Sequence, residues 1–216
     1  MIPILYEDGE ALVIDKPARL PLERPRAGGA SLEDRIGELR LGFLRDPVPV
    51  HRLDTDTSGC LLLARNPKAL NRFNKAFAER LVEKRYLGIV EGTLKQSEGT
   101  IALSLSKISS AEAGWRMIPA KKGKPAVTHW RQIASAGGFT LVEFRPETGR
   151  THQIRVHAAS GLGVPLAGDP VYGNRATAPR TMLHAAGLVV PREGKTPIVA
   201  VSPLPPDFAQ LGFAHE

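Results

Sequence analysis

The chain has 216 residues, 42% hydrophobic and 24% charged, the composition of one ordinary globular domain or at most two small ones, which excludes a mostly disordered or fibrous chain. Its single cysteine, Cys60, excludes an intramolecular disulfide and a cysteine-based zinc cluster. The formal net charge is +7 with a pI near 9.8, which favours a polyanionic partner because each neutralised phosphate releases condensed counterions; plain solubility is the other reading of the same surplus.

The longest apolar runs, such as residues 60–64, are too short to span a bilayer. No basic region precedes an apolar stretch after Met1, so a secretory signal is not expected. A reduced, cytoplasmic protein without a membrane partner is the expectation.

Taken in chain order, Ala11–Ile14 reads as a strand ended by Lys16-Pro17, and residues 21–30, with two prolines and two glycines, read as a loop. Ser31 can cap a short helix to Arg40, with Glu33 and Asp34 in its first turn. Pro47 and Pro49 force extended backbone up to Val50. Cys60–Ala64 reads as a buried strand. A helix opens at Pro67, where a missing N–H costs nothing, and carries an apolar stripe of Leu70, Phe73, Phe77 and Leu81.

Tyr86–Val90 reads as a strand ending at Glu91-Gly92. Further strands are expected at 100–105, 126–133, 139–144, 183–190 and 197–202, with one helix near 151–160. Many strands, few helices and no regular βαβ alternation predict an α+β fold with a mainly antiparallel or mixed sheet.

The densest polar cluster is His51-Arg52-Leu53-Asp54-Thr55-Asp56-Thr57-Ser58-Gly59, between a proline-stiffened segment and a strand. A loop anchored at both ends is where catalytic groups concentrate; a tight turn whose side chains satisfy local backbone donors is the alternative. A calcium loop starting at Asp54 fails, because Arg65 stands where a bidentate Glu is needed. Gly194-Lys195-Thr196 fails as a phosphate loop, because Val189 occupies the earlier glycine position.

A second cluster runs from Glu147 to His157 and holds Arg150, His152, Gln153, Arg155 and His157. His152 and His157 are five apart, so they do not share a helical face as metal ligands would. Positive charge concentrates in residues 65–85, where Arg65, Lys68, Arg72, Lys75, Arg80, Lys84 and Arg85 oppose only Glu79 and Glu83. Lys121, Lys122 and Lys124 form a second patch. Each patch reads either as an RNA contact or as an ordinary solvated face.

The segment His51-Arg52-Leu53-Asp54, two residues, then Thr57-Ser58-Gly59 resembles the signature of the RluA-type pseudouridine synthases. Asp15-Lys16-Pro17 resembles that family's opening motif, and Glu83-Lys84-Arg85-Tyr86 its tyrosine motif. Thr148–His157, followed by Gly168-Asp169-Pro170-Val171-Tyr172-Gly173, resembles its arginine motif, and Met182-Leu183-His184-Ala185 a last one. Arg19 and Cys60 depart from the pattern at positions not expected to react.

The resemblance implies a single catalytic domain over 1–216 with the pseudouridine synthase fold, no separate N-terminal RNA-binding module, and no cofactor or metal. It implies an isomerase that converts uridines to pseudouridine in a stem-loop of ribosomal or transfer RNA. Asp54 is then the nucleophile, Tyr86 a stacking group and general base, and Arg155 a guanidinium fork holding the Asp54 carboxylate. Ile154 and Leu183 are expected to wall the uracil pocket, and Arg52 either to fill the space left by the extruded base or to contact a phosphate.

Expected RNA contacts are Arg65, Lys68, Arg72, Lys75, Lys84, Arg85, Lys121, Lys122, Lys124 and Arg150. The protein is expected to act as a monomer without an obligate protein partner. A catalytically silent RNA-binding or RNA-folding protein on the same scaffold, or a hydrolase acting on nucleosides, are the rival readings.

Overall fold

A computed structural model describes residues 2–110 and 114–214. The chain divides into two compact units, one of residues 1–84 and 184–203, the other of residues 85–183 and 204–216.

The first unit is built on β1 (Ile4–Glu7), β2 (Ala11–Lys16), β3 (Val48–Pro49) and β4 (Ser58–Ala64), joined by the C-terminal strands β10 (Leu183–Arg192) and β11 (Lys195–Val201). β4 pairs antiparallel with β2 and parallel with β10, at His184 opposite Ser58, so the sheet is mixed. Every residue of β4 is buried, which explains why it reads as an unbroken apolar run rather than an alternating one.

Helix α1 (Pro67–Ala78) closes over this sheet. Asn66 stands in extended backbone and its side chain accepts the Ala69 amide, while Pro67 takes the first turn. Phe73 is buried against Val13, Leu62 and Ile198. The expected stripe stops short of Leu81, which is 54% exposed. The helix has already ended there, because Arg80 takes a left-handed φ of 59° and reverses the chain.

The expected helix at 31–40 is a tighter 3₁₀ helix, Glu33–Leu39. Ser31 and Asp34 hydrogen-bond reciprocally at its start, and seven residues with Gly37 inside them do not sustain an α-helix.

The second unit holds an antiparallel sheet in the order β5 (Glu83–Glu91), β9 (Phe139–Pro146), β8 (Lys124–Ala136), β6 (Glu98–Ser110), β7 (Gly114–Pro119). One face packs Val90, Trp130, Val142 and Phe144 against Ile154, Ala158 and Leu166. The other packs Ile89 and Leu141 against Met182, Phe208 and Phe213.

The expected 151–160 helix is α2 (Gln153–Val156), which widens into π-helical winding at His157–Leu162. Among the described residues, no helix is long and apolar enough to cross a membrane.

Candidate active site

The segment before β4 is fixed from several sides. The His51 Nε2 accepts the Leu62 amide at 3.0 Å and its ring stacks on Phe77 with centroids 4.9 Å apart. Burial, then the nearby Lys84 charge, pushes the His51 imidazole down to about 4, which keeps it neutral and able to accept. The Asp54 carbonyl accepts the Thr57 amide at 3.0 Å, closing a turn, and the Asp54 side chain is half-buried. The turn reading and the catalytic-loop reading are therefore not exclusive.

Lys16 secures this turn. Its ammonium is fully buried and donates to the carbonyls of Pro17 and Leu20 at 2.9 Å each and of Thr55 at 3.1 Å. Three donors thus meet three acceptors, which offsets the cost of burying the charge. Just after the turn, Ser58 Oγ and His184 Nδ1 hydrogen-bond at 2.9 Å. Gly59 sits at φ 106°, where an added Cβ would lie 2.2 Å from the Ala185 carbonyl oxygen. Only glycine lets β10 pass so close. Beside the turn, a cleft of about 510 Å³ is lined by Leu22, Leu32, Ile36, His51, Arg52 and Leu53, with the Arg52 side chain exposed.

In the second unit, Tyr86, Ile154 and Leu183 meet in one apolar cluster, with Ile154 and Leu183 buried and Tyr86 partly so. Three residues assigned to base stacking and pocket walls are therefore neighbours. The α2 turn is anchored by Gln153, whose amide donates to the Val127 carbonyl and Thr128 Oγ1 at 2.9 Å each. Its oxygen accepts from Thr148 Oγ1 at 2.7 Å and from the Arg150 amide at 3.0 Å. Every donor and acceptor of this buried side chain is used.

Arg155 forks onto a carboxylate of its own unit, Asp169. Nε and Nη2 of Arg155 each reach an Asp169 oxygen at 2.7 Å. Within the second unit this pair engages the Nε–Nη2 edge of the guanidinium. Asp169 is fully buried and also accepts the Val171 and Tyr172 amides at 2.8 and 3.1 Å. Burial alone would raise its carboxyl, but the Arg155 bonds and these amides outweigh it and hold the group below the usual carboxylate range.

Asp169 and Lys16 are the positioning residues that local sequence reasoning passed over. Their signal lay in the motifs Gly168-Asp169-Pro170 and Lys16-Pro17 without any indication of their partners.

The expected RNA contacts divide. Arg65 is corrected: its side chain is only 1% exposed, bound to Glu7 at 2.9 Å and to the Arg40 carbonyl at 3.0 Å, with its guanidinium 4.2 Å from the centre of the Phe43 ring. It braces the fold and presents no charge to a phosphate. Arg72 pairs with Glu10 at 2.5 Å and Arg85 with Glu143 at 3.7 Å. Lys84 is half-buried, and desolvation, aided by Arg80, pushes its ammonium down to about 8.

Lys68, Lys75, Lys121, Lys122 and Lys124 are exposed. Arg150 is half-buried with Nε donated to the Pro125 carbonyl at 3.2 Å.

The profile of the RNA pseudouridylate synthase family matches residues 10–160, a span that contains Asp54, Tyr86 and Arg155. An uncharacterized RNA pseudouridine synthase of Zymomonas mobilis is 54% identical over 212 residues, covering 97% of both chains. The ribosomal large subunit pseudouridine synthase D of the same organism is 36% identical over 214 residues, covering 90% of this chain and 67% of that protein. Among solved structures, human RNA pseudouridylate synthase domain containing 4 superimposes with a TM-score of 0.78 at 26% identity, over 96% of this chain and 90% of that one.

The chain belongs to the RNA pseudouridylate synthase family and is an isomerase. Within that family it is of the RluA type.

Proposed function

We propose that this protein isomerises particular uridines in a stem-loop of ribosomal or transfer RNA, with Asp54 as the nucleophile. The observation that carries the reading is the family match over a span in which Asp54 lies on a turn tied down by the buried Lys16 ammonium. A large-subunit ribosomal RNA target is favoured by the relative named for that role.

The reaction breaks the bond from ribose C1′ to uracil N1, turns the base, and forms the bond from C1′ to C5. The C5 proton then leaves and N1, freed from the ribose, gains one, so atoms balance without a co-reactant. A carboxylate suits this chemistry because covalent attack, on the anomeric carbon or on the ring, splits one hard step into easier ones. Tyr86 takes the C5 proton as general base. Arg155 balances the Asp54 charge while its Nε and Nη2 hold Asp169.

Ile154 and Leu183 wall the base, and Arg52 occupies the space it vacates. A stem-loop lowers the unstacking cost of a few kcal/mol that extrusion of a uridine demands. Exposed lysines of α1 and of the turn before β8 contact the backbone. The protein works as a cytoplasmic monomer without a cofactor.

The test is tritium release from RNA labelled at uridine C5, using transcripts of large-subunit ribosomal RNA and of transfer RNA. Release with pseudouridine as product supports the reading. RNA binding without release would favour the silent scaffold, and free uracil would favour a hydrolase.

A further inference from the structure

A row of groups in the second unit runs from Arg155 to the outer edge of the sheet. The Arg155 guanidinium carbon lies 5.2 Å from the centre of the Tyr172 ring. Tyr172 and His152 meet edge to face at 5.7 Å, and His152 and Trp115 meet the same way at 4.9 Å. The Lys107 ammonium stands 5.4 Å from the centre of the Trp115 ring.

His152 is held at φ 53°, a left-handed conformation that costs a non-glycine residue energy and collects at functional positions. The Tyr172 hydroxyl fixes it there, bonding its Nδ1 at 3.0 Å while accepting the Met117 amide at 2.9 Å. Strained backbone and two hydrogen bonds thus aim one ring at another.

Trp115 at the end of this row is 40% exposed, on the last strand of the unit's sheet, whereas Trp130 is 7% exposed. Its surroundings are cationic rather than apolar. Lys107 lies on the paired strand, Lys121 and Lys122 in the turn after β7, and Lys124 at the start of β8, all exposed. Over residues 105–126 the sequence sets Lys107, Arg116, Lys121, Lys122 and Lys124 against one carboxylate, Glu112. An open aromatic ring among cations complements a base and its flanking phosphates, since every base has a face to stack and every phosphate a charge to neutralise. A protein hot spot would instead place apolar neighbours around the ring.

We infer that Trp115 is a stacking platform for an unpaired nucleotide outside the target uridine, with Lys107, Lys121, Lys122 and Lys124 taking the phosphates beside it. The inference rests on the RNA substrate proposed above and adds a sequence-tolerant contact at a distance from the reacting base.

The test uses the whole protein with two probes, hexauridylate and an abasic phosphodiester hexamer of equal charge. Hexauridylate should quench the exposed-tryptophan fluorescence and the abasic hexamer should not. Trp115→Ala should weaken hexauridylate binding on the order of tenfold and leave the abasic affinity unchanged, while Trp115→Phe recovers most of the loss. Lys107→Ala should weaken both probes and lower the salt dependence by about one counterion.

Equal hexauridylate affinity of wild type and Trp115→Ala overturns the stacking role, as does no binding by the wild type. A change in self-association on sedimentation of Trp115→Ala, with RNA binding intact, makes the ring a contact between copies and also overturns it. A wild type that stacks hexauridylate but releases no tritium from labelled RNA contradicts the isomerase target, not the platform.

Discussion

Arg155 and Asp169 meet fork to fork, Nε on one carboxylate oxygen and Nη2 on the other, both at 2.7 Å. Neither side chain is more than 8% exposed. A buried pair of this kind is strongly destabilised by losing one member, because the survivor keeps an uncompensated charge. Asp169→Ala should therefore cost about 3–5 kcal/mol in urea unfolding. Asp169→Asn keeps an oxygen for the Val171 and Tyr172 amides and should cost less, yet turnover should fall while RNA affinity holds. Full turnover in Asp169→Asn would show that Arg155 needs no partner to do its work.

Lys16 gives a second expectation. Removing its ammonium leaves the carbonyls of Pro17, Leu20 and Thr55 without their donor. An unsatisfied buried acceptor costs about 1–3 kcal/mol, and the Leu20 carbonyl is the buried one of the three, so Lys16→Met should lower unfolding stability by about 1–3 kcal/mol. Turnover should fall with it as the Asp54 turn loosens. A variant as stable as the wild type would mean that water replaces the ammonium without cost.

Much of this architecture is visible in the sequence, and the rest is hidden for definable reasons. β4 shows itself as an apolar run, and α1 through Asn66, Pro67 and its apolar spacing. β1 and β7 escape because Ile4–Glu7 is short and Gly114–Pro119 has no alternation of its own. Leu81 continues the helical spacing, but the left-handed Arg80 ends the helix before it. Arg65 looks like one of a row of surface cations, because Glu7 lies 58 positions away and no local pattern reveals it. The same distance blindness hides Asp169 as a partner of Arg155, 14 positions on.

Glycine positions offer a paired test. Gly59→Ala places a Cβ 2.2 Å from the Ala185 oxygen at φ 106°, so strain and overpacking together should cost about 3 kcal/mol or more. Gly149 has nothing within 4 Å of an added Cβ, and Gly149→Ala should stay within about 0.5 kcal/mol. Urea midpoints that rank the two the other way would contradict the packing described for β4 and β10.

The buried His157 sets a pH dependence. Desolvation pushes its imidazole down to about 4, whereas an unfolded histidine titrates near 6.5. Between those values the unfolded chain binds a proton that the folded chain refuses, so stability falls as pH drops from about 6.5 toward 4. The loss from His157 should be on the order of 2 kcal/mol between pH 7 and pH 5. His51, lowered to the same value, adds to it. His157→Asn should flatten the slope, and an unchanged slope would assign it to other groups.

The most direct measurement is tritium release by Asp54→Asn from uridine-labelled RNA, beside its affinity for the same RNA. The substitution keeps the size of the side chain and removes its charge. RNA bound at wild-type affinity with no tritium released is the predicted outcome. Sustained release by the variant would show that the reaction does not run through this carboxylate.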